Sequence, residues 1–85
     1  MLDKKVADLL VEQVNKEFYF AYLYLDFANY YEEAGLSGFA HWYEVQAQEE
    51  RDHAMLFYRY LLNNDEPVTL GAIAAPESGF SSDEE

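Results

Sequence analysis

Glu17, Glu50 and His53 are the residues of this sequence whose types and spacing can do chemistry. Glu50 and His53 stand three positions apart in the string Gln46-Ala47-Gln48-Glu49-Glu50-Arg51-Asp52-His53-Ala54. On a helix, side chains three apart share a face, about 5–6 Å from each other at Cβ. Both fall on a stripe of alternating four- and three-residue steps, Phe39, Tyr43, Gln46, Glu50, His53, Phe57 and Tyr60. This is the spacing of a helix packed against other helices, so the stripe is expected to be buried. A carboxylate and an imidazole one turn apart in a core are costly unless something pairs with them. A metal ion is a partner that suits both. His41 has no such companion, because Gly38 stands three positions before it.

Glu17 belongs to a second stripe with the same steps, Val6, Leu10, Gln13, Glu17, Phe20, Tyr24, Phe27 and Tyr31, on which it is the charged residue. Asp8, Glu12, Glu32 and Glu33 fall off that stripe and read as solvated. Tyr24, one heptad beyond Glu17, can hydrogen-bond a ligand or lend an electron, or it can serve as a packing aromatic. Glu49 adjoins Glu50, but the 100° turn per residue points it aside, toward solvent. Gln46 is placed to tie down a ligand or a neighbouring tyrosine.

The elements that must position these residues are two long helices. The first is expected over about 3–34, a span without Gly or Pro that Asp3 can cap. Gly35-Leu36-Ser37-Gly38 ends it, with Gly35 suited to the left-handed C′ position and Ser37 to capping the next helix. The second runs over about 38–62 and stops at Asn63-Asn64-Asp65-Glu66-Pro67. So short a link makes the helices antiparallel. With the turn near residue 36, Glu17 stands level with about residue 55, within a turn of His53. Residues 1–66 thus form an αα-hairpin. Residues 67–85 read as an extended segment over 67–76 and then Glu77 to Glu85, which has two readings. It is an acidic, frayed tail, which is favoured, or the opening of a third helix, since Ser81 and Ser82 each precede a Glu by three as in a capping box.

The 85 residues are about half apolar, enough for one domain, but two helices alone cannot cover each other's apolar faces. Chains this small usually need a metal, a staple or a partner. There is no cysteine, which excludes disulfides and thiolate metal sites. Five Lys and Arg against 17 Asp and Glu give a formal charge of −12, which repels nucleic acid and anionic membranes and draws cations. No apolar run approaches a membrane span and no signal-peptide core follows the start, so the expected location is the cytoplasm.

One hairpin supplies one Glu and one Glu-x-x-His; two hairpins about a two-fold axis supply two of each, the dinuclear carboxylate arrangement of four-helix metalloproteins. Four carboxylates then balance two divalent ions. Oxygen and imidazole ligands without thiolate suit iron, manganese or zinc.

Asn15-Lys16-Glu17-Phe18-Tyr19-Phe20-Ala21-Tyr22-Leu23-Tyr24-Leu25, the turn Glu33-Ala34-Gly35-Leu36-Ser37-Gly38-Phe39-Ala40, and Gln46 through Met55 together resemble the prokaryotic non-haem ferritins. The resemblance runs from about Leu2 to Phe80. It implies an all-α fold in which this chain is the N-terminal two-helix half of a ferritin-like four-helix bundle, completed by dimerisation or a partner chain. It also implies a ferroxidase that oxidises Fe(II) with O2 or peroxide at a di-iron site, in iron storage or detoxification. Glu17, Glu50 and His53 would be the iron ligands, Glu50 bridging, with Tyr24 close by and Glu49 in an accessory iron site. Members of the family continue through a crossover, which Val68 to Phe80 resembles, into helices carrying the rest of the site. The missing ligands are therefore expected from a second copy or a companion ferritin chain. Two other readings stand beside this one. One is a ring-forming ferritin-like ferroxidase associated with a protein compartment, although no docking tail is evident. The other is a fragment that rebuilds a ferritin shell with a partner and has no catalysis of its own.

Overall fold

A computed structural model of the chain describes residues 2–76. The acidic tail and the capping-box signature at Ser81 and Ser82 lie outside the described residues. Within them are two helices and no strand, α1 (Lys4–Glu33) and α2 (Ser37–Asn63). They run antiparallel, as Tyr31 meets Phe39 near the turn and Tyr24 meets Tyr43 further down.

Asp3 caps α1, its side chain accepting from the Lys5 N–H at 3.0 Å. Gly35, with φ +80°, ends it. The Leu36 N–H reaches the Tyr31 carbonyl at 2.8 Å and the Gly35 N–H reaches Glu32 at 3.1 Å, a Schellman closure that satisfies two end-of-helix carbonyls. The expected cap at Ser37 does not form. Leu36 holds the N-cap position of α2 without a side-chain bond, and Ser37 is already the first helical residue. The reason is the tight Schellman turn, which leaves no extended residue between Leu36 and the helix. At the far end α2 closes in the same way, with Asp65 in the left-handed region (φ 61°) and the Glu66 N–H on the Leu61 carbonyl at 2.9 Å.

The contact between the helices is made by small residues at heptad spacing. Ala7, Val14 and Ala28 on α1, and Ala40, Ala47, Ala54 and Leu61 on α2, are the buried apolar side chains. Alanine at the contact lets helix axes approach closely. The expected buried stripes are displaced from this seam by one position at every other step. Val6, Phe20, Phe39 and Tyr60 are between 38% and 59% exposed. The periodicity located the correct half of each helix surface, but the bulky stripe straddles the hairpin contact and an open face beside it. Bulky aromatics cannot occupy the closest approach of two helices, whereas alanine can, so the seam settles on the alanines.

The hairpin measures 50 × 23 × 13 Å, one helix thick. Beyond α2, residues 67–76 have no regular structure, and the stretch from Val68 to Gly71 lies against α1. Val68 packs on the core cluster of Ala7, Val14, Ala54 and Leu61. Asn15 then grips the segment with both ends of its amide, donating to the Thr69 carbonyl (3.1 Å) and accepting from the Gly71 N–H (2.7 Å).

Candidate metal centre

Glu17 comes from the middle of α1, and Glu50 and His53 from the middle of α2. The alanine seam brings them to one level. Each offers a ligand atom, and these atoms lie within 4.8 Å of one another. The His53 Nδ1 is 3.7 Å from the Glu17 Oε1 and 3.7 Å from the Glu50 Oε1. These separations are too long for hydrogen bonds. They suit atoms that would share a cation between them.

The three side chains differ in exposure. Glu17 is largely buried, with 12% of its side chain accessible, and Glu50 has 21%. His53 is half exposed in the single chain, so the burial expected of its stripe is not reached by the hairpin alone. Its ring stands beside the seam residue Ala54, not in the seam itself.

The two oxygens of Glu17 are treated differently. Oε2 accepts from the Gln13 Nε2 at 2.7 Å. Oε1 is buried and has no hydrogen-bond partner among the described residues. A buried carboxylate oxygen without a donor is unfavourable, and a metal ion held with Glu50 and His53 would satisfy it. The glutamine that ties down a carboxylate is therefore Gln13, not Gln46. Its signal was present in the sequence, since Gln13 lies one turn before Glu17 on the same stripe.

Electrostatics bear on the same point. The Glu17 carboxyl beside Glu50 raises the pKa of Glu50 above the usual range, because the two can share a hydrogen bond when one is protonated. Burial and repulsion from the Glu17 charge push the same way, and His53 pulls weakly back. Without a cation, protonating Glu50 relieves the crowding of two carboxylates.

Tyr24 and Glu49 are outside this three-residue group. Tyr24 stacks its ring among Phe20, Phe27 and Tyr43, at centroid separations of 5.9–6.5 Å. Glu49 is exposed to solvent.

Comparison with known proteins agrees with this geometry. A family profile described as a ferritin-like domain matches residues 7–85. The chain is 42% identical over 82 residues to the bacterial non-heme ferritin of Staphylococcus saprophyticus, covering 96% of this chain and 49% of that protein. It is also 42% identical to the bacterial non-heme ferritin of Campylobacter jejuni, with the same coverage. Among solved structures, an open pore ferritin from the archaeon Archaeoglobus fulgidus superposes with a TM-score of 0.88 at 40% identity, covering 92% of this chain and 48% of that one. The chain thus spans about half the length of the curated relatives it matches. Among the described residues no helix is long and apolar enough to cross a membrane. Sequence, fold and the Glu-Glu-His cluster converge, and the chain belongs to the ferritin-like domain family.

Proposed function

We propose that this chain binds Fe(II) through Glu17, Glu50 and His53 and oxidises it to Fe(III), as half of a ferroxidase centre that a second copy of the chain completes. The observation that carries the reading is the buried Oε1 of Glu17, which accepts no hydrogen bond among the described residues and lies 3.7 Å from the His53 Nδ1, which in turn faces the Glu50 carboxylate. Iron is the substrate. Each Fe(II) gives up one electron, so two ions bound together supply the pair that reduces O2 to peroxide or, with protons, peroxide to water. The residues of this chain contribute ligand geometry, and the acidic surface raises the local concentration of iron. Glu49, at the exposed side of Glu50, takes the part of an accessory iron ligand, and Tyr24 that of a nearby electron or hydrogen-bond donor. The work of the protein is iron storage or detoxification, in the cytoplasm.

Two features support a second copy as the other half. Glu17 and Glu50 are the acids on the two bulky stripes, which carry no Lys or Arg. The open face therefore meets its own copy without like-charge repulsion except at the ligands, where two divalent ions would neutralise four carboxylates. The chain's long dimensions, 50 and 23 Å, leave room for the roughly 800 Å² per partner that stable complexes bury. The half-length match to the relatives favours a second reading, in which a companion ferritin chain supplies the other helices and this chain only rebuilds the shell.

Anaerobic Fe(II) titration of the apo-protein, with mass measured in solution on the same sample and O2 then admitted, separates these. About one iron per chain on a dimer, with a rapid ferric absorbance lost in Glu50→Ala and His53→Ala, is the expected result. A monomer with no saturable iron would overturn the proposal.

A further inference from the structure

We propose that Gln13 is a positioning residue for the metal centre: its amide holds one oxygen of Glu17 so that the other alone is presented to the ion. The inference rests on the iron-binding reading above and concerns how the site is held.

A carboxylate can bind a metal through one oxygen or through both. The Gln13 Nε2 donates to the Glu17 Oε2 at 2.7 Å, a short bond between groups four residues apart on α1. The orientation of the amide follows from its partner, because the reversed amide would set two acceptors against each other. Oε2 therefore has a donor already, while Oε1 has none and lies toward His53. An uncharged amide suits this task. It fixes the carboxylate without adding a positive charge that would compete with the cation. Partners of this kind around metal ligands typically contribute about 10- to 100-fold in affinity.

α2 supplies an internal comparison. Gln46 precedes Glu50 by the same four residues, yet makes no corresponding bond among the described residues. Glu17 is thus the ligand with a set orientation, and Glu50 the one left free to adjust when a second ion or a second copy arrives. The same spacing on both helices yields one locked and one adjustable carboxylate.

The test uses the full chain, anaerobically, with Co(II) as a visible and redox-quiet probe. Gln13→Met keeps length and helix propensity and removes the donor. It should bind Co(II) about 10- to 100-fold more weakly than the parent chain. The infrared separation between antisymmetric and symmetric carboxylate stretches should narrow as Glu17 turns to two-oxygen binding. Gln46→Met should change neither. Equal affinity and an unchanged carboxylate spectrum in Gln13→Met would overturn the inference, as would an equal effect of Gln46→Met. If Gln13→Met and Gln13→Leu lose helicity in the metal-free state while Gln46→Met keeps it, Gln13 is structural and the inference is overturned. A parent chain with no saturable Co(II) overturns the metal-binding reading itself, an outcome distinct from all of these.

Discussion

Glu17 on α1 and His53 on α2 meet across the hairpin, Oε1 to Nδ1 at 3.7 Å, with the Glu50 carboxylate at the same distance from that nitrogen. Among the described residues no backbone hydrogen bond links the two helices at this level. Their meeting depends on the alanine seam behind them, in which Ala54 is wholly buried. The metal binding proposed for the cluster should therefore be coupled to packing of the hairpin, so that each can be perturbed through the other.

The first consequence concerns pH. Glu50 has a folded-state pKa raised above its ordinary value of 4.5. For a carboxyl this means that the neutral form is favoured by the fold. Its contribution to stability is fully present below the unfolded value and is lost as pH rises through the folded one. The metal-free protein should thus melt at a lower temperature at neutral pH than at mildly acidic pH. Glu50→Gln should flatten this dependence, which thermal melts across the range would measure. Zn(II) needs the ionised carboxylate, so the stabilisation it confers should grow as pH rises.

Packing supplies the second. Ala54→Leu inserts bulk where the helices approach most closely, and overpacking of this kind costs about 1–3 kcal/mol. Because the added side chain separates α1 from α2 beside His53, Co(II) affinity should fall along with the urea midpoint. A variant that loses stability and retains full affinity would contradict the coupling.

A third prediction separates the crossover segment from the site. Asn15→Ala removes the bonds to Thr69 and Gly71, each worth about 1 kcal/mol net. The Gly71 amide should exchange with solvent much faster than in the parent chain, read by hydrogen exchange. Metal affinity should stay the same, since Asn15 faces away from the Glu17 cluster toward the segment.

The orientation of the proposed pair of copies can be tested as well. Glu17 and Glu50 lie close to the midpoints of Lys4–Glu33 and Ser37–Asn63. A two-fold axis through the cluster, perpendicular to the helices, therefore overlaps the hairpins fully. On the stripes, Phe20, Tyr24, Phe27, Tyr31, Phe39 and Tyr43 crowd the turn half, against Phe57 and Tyr60 in the other. Opposed turns set large side chains against smaller ones and keep the interaxial spacing even. Spin labels at Glu33→Cys, in a chain without native cysteine, should lie roughly 45–50 Å apart in the Zn(II)-loaded dimer, from about 1.5 Å of rise per residue. Turns at the same end would give less than about 25 Å, close to the width of a bundle.

Much of this protein is determined by local rules that a sequence displays directly. Asp3, Gly35 and Asp65 mark where helices begin and end because caps and left-handed turns are properties of a few adjacent residues. The level match of Glu17 with His53 follows from a constant rise per residue and one short turn. The heptad phase is different. Val6, Gln13, Phe39 and His53 and their neighbours Ala7, Val14, Ala40 and Ala54 are one residue apart, and periodicity alone favours the bulkier set for the core. Tertiary structure decided for the smaller set, because two helices approach most closely where side chains are least. That choice leaves His53 half exposed and the aromatic stripe turned to an open face. It also separates the two glutamines: Gln13 and Gln46 have the same spacing to a glutamate, and among the described residues the structure forms the bond on α1 and not on α2.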